Sequence, residues 1–348
     1  MNNLFIKIHI NIILMIIVRY LDNHTSRFAS WEDITNHEAI IEINCSGNKL
    51  TQLPDMRSYH WPNLQTFNCS NNKLTQLPAN INWPNLKAFY CLCNQLTQLP
   101  ANINWPNLEE FYCHDNQLTQ LPAVMAWPNL KKIYCSYNKL TKLQAIMAWP
   151  NLEVLNCSEN NLTQLPDLMM PNLKEFNCSW NNLTHLPVTV VLPNLKIFDC
   201  SHNNLTQLPA IMEWPNLKRF YCSYNQLTQL PANINWPKLK AFGCLNNKLT
   251  QLPAIMELPN LEVLQCSYNQ LTQLPLYIMN LTRFRYFGCS NNLLELSPQI
   301  ARFINRLNLQ TKQFNVYTNG QNMHNSNIQL GIRDSINALT TKSGNWLY

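Results

Sequence analysis

The chain predicts an α/β solenoid, mostly β in content: a curved coil with a parallel sheet on its concave side, extended or 3₁₀ legs on its convex side, and a cap at either end. Three observations lead there. One phrase, W-P-N-L-K-R-F-Y-C-S-Y-N-Q-L-T-Q-L-P in its copy at residues 214–231, recurs through twelve units between residues 40 and 298, most of them 22 residues long. A repeat of that period is a unit that cannot bury its apolar side alone and must stack on its neighbours. Within the phrase Phe220 and Cys222 stand two apart, so both face one side of a strand while Tyr221 and Ser223 face the other. The stretch linking one phrase to the next carries two prolines, as in P-A-N-I-N-W-P at residues 78–84, and these disfavour a regular helix.

Bulk composition agrees. Apolar residues make up 46% of the 348 and charged ones 13%, which supports a large core and excludes a disordered chain. The net charge of +6 is spread without a long basic block, so no nucleic-acid partner is demanded. Thirteen cysteines are an odd number, and twelve of them (Cys45, Cys69, Cys91, Cys113, Cys135, Cys157, Cys178, Cys200, Cys222, Cys244, Cys266 and Cys289) fall one per unit, with Cys93 outside the series. That spacing follows the repeat and not a disulfide framework, and it points to a mostly reducing compartment.

Residues 1–39 are expected to be a hydrophobic N-terminal segment and cap. The apolar run 12–18 is too short to span a bilayer as a helix, so no membrane span is expected. Lys7, His9 and Asn11 interrupt the stretch before it and no A-x-A site follows, which leaves a signal or anchor as the competing reading. In S-W-E-D at residues 30–33 a Ser N-cap with an acid three residues on predicts the start of a short helix.

Residues 40–298 are the solenoid. Aligned on cysteine, its units share L-x-x-F-x-C-x-x-N-x-L-T-x-L-P, as in Leu64, Phe67, Cys69, Asn72, Leu74, Leu77 and Pro78. This pattern resembles the leucine-rich repeat family, L-x-x-L-x-L-x-x-N-x-L, with an aromatic residue in the second leucine slot and cysteine in the third. The resemblance implies a leucine-rich repeat horseshoe whose strands stack in parallel roughly 4.8 Å apart on the concave side. On the return leg Ile81 and Trp83 are expected to face the core, with Met170, Leu192 and Leu258 in the Trp slot of other units. Length changes fall on this leg: residues 54–64 carry two extra positions, 166–173 lack one and 275–284 have one extra. Loops absorb such changes while the strand register is kept.

Residues 299–348 are expected to be a C-terminal helical cap and polar tail. Ile300, Phe303, Ile304 and Leu307 recur at helical spacing and would cover the last coil. Ile328, Ile332, Ile336 and Leu339 predict a second amphipathic helix. The phrase Q-N-M-H-N-S-N-I-Q at residues 321–329 resembles a short tail motif in proteins of large DNA viruses of protists.

Two ladders read as structural. The inward cysteines are small hydrophobes, since parallel Cβ vectors hold neighbours too far apart to bridge and a linear row gives zinc no tetrahedron. The asparagines, one per unit from Asn48 to Asn292, can satisfy backbone groups where each coil leaves its strand. Function is expected where the repeat varies. The outward position between Phe and Cys carries Tyr90, Tyr112, Tyr134 and Tyr221, and the position two after Cys carries Tyr137, Trp180, His202, Tyr224 and Tyr268. These nine are the candidate partner-binding residues, because aromatics clustered on one face compose protein-binding hot spots; the plainer reading is β-formers that suit strands.

Lys87, Lys131, Lys174, Lys196, Lys218, Lys240 and Arg285, mixed with Glu109, Glu153 and Glu262, mark strand starts and read as a solvated edge that disfavours nucleic acid. Six glycines leave little room for a phosphate loop, and neither H-E-x-x-H nor G-x-S-x-G occurs. No catalytic residue, metal site or cofactor is assigned. The Asn-Cys-Ser sequons at Asn44, Asn68, Asn156 and Asn177 would put glycans on the concave face of a secreted chain, so a cytoplasmic location, host-cell cytoplasm included, is expected. The expected function is a non-catalytic protein–protein interaction scaffold with a protein partner on the concave face. The alternative is an adaptor that recruits a second factor, such as ubiquitin machinery, through a terminal segment.

Overall fold

The computed structural model describes residues 14–310, apart from 80, 101–102, 104, 123–126, 144–148, 188–189, 233, 255 and 282. The chain winds into a parallel-sheet solenoid. Its main sheet has fourteen strands, in which twelve repeat strands run in chain order and in parallel from β3 (Ile40–Asn44) to Tyr286–Gly288. Most repeat strands are three residues long because only the Phe slot, flanked by two outward residues, needs sheet geometry before the cysteine; Thr66–Asn68 and Ala88–Tyr90 both read partly buried, buried, partly buried. The register never slips, since Phe67 pairs with Phe89 and Phe89 with Phe111, and the stacked rings lie 5.9 and 6.0 Å apart. A slip of one residue would turn every phenylalanine to solvent.

The asparagine ladder fastens each coil to the one before it. Asn72 Nδ2 donates to Cys45 O at 3.0 Å and to Cys69 O at 2.9 Å, while its Oδ1 accepts from Leu50 N at 2.9 Å. Asn225 repeats this two thirds of the way along, donating to Cys200 O and Cys222 O and accepting from Leu205 N. A buried amide whose donors and acceptor are all used suits a turn that would otherwise leave carbonyls dry.

Return legs close the coils with a buried column in which Trp83 and Trp105 stack 6.3 Å apart at 5°, and Met170, Leu192 and Leu258 fill the same slot. Ile81 is buried with them. The two long legs take up their extra residues as 3₁₀ turns, Met56–Ser58 and Leu276–Asn280. In two other legs Leu168–Met169 and Val190–Val191 are extended and pair in parallel.

At the N-terminus β1 (Ile16–Tyr20) lies antiparallel between β2 (Thr25–Phe28) and β3. The apolar run is thus in part a strand, with Ile16, Val18 and Tyr20 turned into the core. Residues 30–33 form bends and a turn and not the expected helix. Trp31 and Ile34 are both buried, and Trp31 lies against Trp61 at 6.3 Å, so packing holds a turn closed by Ile34 N on Trp31 O. A 3₁₀ turn, His37–Ala39, follows. At the other end α1 (Pro298–Gln310) buries Ile300 and Ile304 on the core. The side chain of Leu307, the second helix expected after it and the tail phrase at 321–329 lie outside the described residues. Among the described residues no helix is long and apolar enough to cross a membrane.

Candidate interaction surface

The nine aromatic candidates fall into two rows and not one. Tyr90, Tyr112, Tyr134 and Tyr221 each end a repeat strand and stand on the sheet. Tyr137, Trp180, His202, Tyr224 and Tyr268 lie beyond the strands, in an exit turn where φ is 51–54°. Gly47, Asn71, Asp115, Asn246 and Asn291 occupy the same turn in other units. Those are residue types that tolerate the left-handed region, and their recurrence in this column is the sequence signal for the turn.

On the sheet, Tyr90, Tyr112 and Tyr134 form a stacked ladder with centroids 4.9 and 4.6 Å apart. Tyr90 Oη donates to Glu110 Oε2 at 3.3 Å, and Glu110 also pairs with Lys132 at 2.9 Å. Burial first, and Glu110 second, push the Tyr90 phenol up to about 12. Tyr221 behaves differently. Its ring lies over Gly243 of the next unit, and its Oη is buried with no hydrogen-bond partner among the described residues.

The exit row is a ridge. Trp180 stacks on His202 at 3.7 Å and 9°, and His202 on Tyr224 at 4.1 Å and 13°. Partial burial between two rings lowers the His202 pKa. Tyr137 and Tyr268 stand 55% and 57% exposed at either side of that stack. Past Tyr134 the ladder's own column continues as a polar trough, with Tyr134 paired to Asn156, Asn156 to Asn177 and Asn177 to Asp199. Asn156, Asn177 and Asp199 turn their Oδ1 atoms back onto the amides of Ser158, Ser179 and Ser201 at 2.9–3.1 Å. Each Asn-Cys-Ser phrase is thus an Asx turn that finishes its strand. Desolvation holds the Asp199 carboxyl above the usual carboxylate range.

Sequence reasoning missed the residue just before the Phe slot. Glu110, Lys132, Glu175 and Arg219 stand there, on the same face as the tyrosines. Strand alternation, which places residues two apart on one side, contains that answer. The cysteine ladder is buried, and desolvation raises every thiol in it; Cys45 and Cys135 reach about 12. Cys93 occupies the exit turn and is partly exposed, and burial with a hydrogen bond to Asp115 lifts it to about 11.

Family models described as Leucine Rich Repeat match residues 63–83, and those described as Leucine Rich repeats (2 copies) match 106–146, 128–168 and 193–235. With the sheet and the asparagine ladder in place, the matched segments are leucine-rich repeats. Among solved structures it is similar to the leucine-rich repeat domain of APL1, at 24% identity over 73% of this chain and 69% of that one, with a TM-score of 0.63. A plant peptide hormone receptor, RGFR1, solved in complex with RGF2, is 22% identical over 74% of this chain and 44% of that one, with a TM-score of 0.63. A leucine-rich repeat protein of Leptospira interrogans is 26% identical over 79% and 83%, with a TM-score of 0.49. A search of curated proteins gave no match.

Proposed function

We propose that this solenoid is a non-catalytic scaffold that binds a protein partner across its concave sheet and exit ridge. One observation carries the reading: bulky aromatic residues occupy a left-handed turn that asparagine and glycine fill in other units. Holding such a side chain at positive φ costs about 1–3 kcal/mol, and strain of this kind gathers at ligand contacts. Tyr137 and Tyr268 stay largely exposed, so the solenoid's own core gains little from them. The stacked Tyr90, Tyr112 and Tyr134 extend the aromatic surface onto the sheet. Tyrosine and tryptophan are the residues that dominate binding energy at protein interfaces. Tyr221 belongs to the floor of this surface, because its ring is laid on Gly243.

The raised thiols support the non-catalytic half of the proposal, since a nucleophilic cysteine needs a lowered pKa. The cytoplasm is proposed as the compartment, because a chain with thirteen thiols suits reducing conditions. Proximity labelling in the native cell, with the wild-type chain beside a Trp180→Ser, Tyr224→Asn variant, tests the reading. Loss of a defined set of labelled proteins in the variant is expected. An unchanged set, with the variant folded, would remove the ridge from the interface.

A further inference from the structure

Four lysines, Lys174, Lys196, Lys218 and Lys240, stand immediately before consecutive strands of the sheet in the middle of the solenoid. The amide of Lys196 donates to Lys174 O at 2.7 Å, that of Lys218 to Lys196 O and that of Lys240 to Lys218 O, both at 2.8 Å. They are therefore direct ladder neighbours at the sheet spacing, a placement in which like charges repel. The outer two are relieved, Lys174 by Glu153 at 2.7 Å and Lys240 by Glu262 at 3.3 Å. The same device recurs towards the N-terminus, where Lys131 pairs with Glu109 at 2.6 Å. Lys196 and Lys218 are exposed and have no carboxylate within 4.0 Å among the described residues. Beside them on the sheet stands Arg219.

We infer that this basic stripe, with the Trp180–His202–Tyr224 ridge across the trough from it, receives a short, extended, acidic segment of the protein partner. The inference rests on the concave-face reading above and adds the partner's charge to it. Charge complementarity identifies the occupant: Lys196 and Lys218, unlike the lysines on either side, hold no direct ion pair among the described residues. Although Lys196 and Arg219 share the field of Glu175, the stripe keeps an excess of positive charge that carboxylates of the partner would complete. The stripe spans three sheet spacings, roughly 14 Å, the reach of about four extended residues.

A single-stranded nucleic acid would also seek basic and aromatic groups, but it binds by laying bases on open ring faces. Here His202 is covered on both faces, at 3.7 and 4.1 Å, and Trp180 and Tyr224 on one each, which leaves a single open face at either end of the stack and no run of platforms for successive bases. Glu175 and Asp199 line the trough and would repel a phosphate chain laid along it. A peptide can place its acids over the lysines and neutral residues over the trough.

Fluorescence anisotropy on the full chain tests the inference with three labelled probes of equal length: a peptide alternating serine and glutamate, its serine–glutamine counterpart, and an oligothymidylate. The acidic peptide should bind at low salt, weaken as salt is added, and lose about tenfold in affinity when Lys196→Glu and Lys218→Glu are combined. No binding of the acidic peptide, equal binding of its glutamine counterpart, indifference to the double reversal, or tighter binding of the oligothymidylate would overturn it. The reversed residues are exposed, and a matching denaturation midpoint checks that the variant is folded. The two levels separate cleanly. If ridge substitutions alter proximity labelling while the peptides ignore charge, only the acidic partner is wrong. If peptide binding follows the lysines while labelling ignores the ridge, the concave-face reading fails instead.

Discussion

The ring of Tyr221 lies on Gly243, with its Cδ1 3.0 Å from the point a Cβ there would occupy. Gln265 is laid over Gly288 in the same way, so the two glycines of the concave column each seat the side chain of the preceding unit. Gly243→Ala should therefore cost about 1–3 kcal/mol, as overpacking does, and Tyr221→Ala added to it should recover most of that loss. A double-mutant cycle in denaturant measures the coupling. Additive effects would mean that the ring does not rest there.

Asp199→Asn should stabilise the fold at neutral pH. The trough raises the folded-state pKa of Asp199 by desolvation, so its stabilising contribution is present below the unfolded carboxyl value, about 3.9, and is lost as pH rises through the folded one. Asparagine keeps the acceptor for Ser201 N, as Asn156 and Asn177 do for their serines. The gain should shrink towards zero in acid. Urea titrations of both proteins across that pH range show it, and a gain that persists below the carboxyl range contradicts the cause given.

Leu205→Ala should cost about 2–5 kcal/mol, because Leu205 is fully buried in the core. Asn225→Ala should cost a comparable amount, roughly 3 kcal/mol, by stranding Cys200 O, Cys222 O and Leu205 N in a dry turn. Equilibrium unfolding compares them. A loss of only a few tenths at Asn225 would mean that water replaces the amide.

Tyr268→Asn should leave stability unchanged or raise it by about 1 kcal/mol, since asparagine tolerates the left-handed turn, as Asn246 and Asn291 do. The same substitution should weaken partner capture. A marked fall in the denaturation midpoint would show that Tyr268 serves the fold.

Thiol titration of the native chain at neutral pH should be slow at every cysteine in the ladder, with Cys93 the first to react as pH approaches its raised value, about 11. Unfolding should release all thirteen at once. Mass spectrometry after brief alkylation locates the modified residue, and rapid neutral-pH labelling of a ladder cysteine would contradict the burial.

The sheet, its register and the two ladders were legible because those positions cannot vary without breaking a coil: Phe220, Cys222 and Asn225 recur for packing and hydrogen bonding. The candidate surface was half legible. Reading the residue two after cysteine as a strand position merged Trp180 and Tyr224 with Tyr112, although Gly47, Asn71 and Asn246 in that column already spelled a left-handed turn. The placing of Tyr221 depends on Gly243 one coil later, a relation across units that reading each column alone does not display. At Ser30 local capping chemistry pointed to a helix, and burial of Trp31 and Ile34 overrode it.

Partner contact with the ridge is measured most directly by site-specific photo-crosslinking in the native cell, with the reactive residue at position 224 on the ridge or at position 211 on the outer leg, where Ile211 is 70% exposed. Adducts to a discrete cellular protein from 224 and none from 211 are the predicted result. Equal adducts from both positions, or adducts from 211 alone, would contradict it.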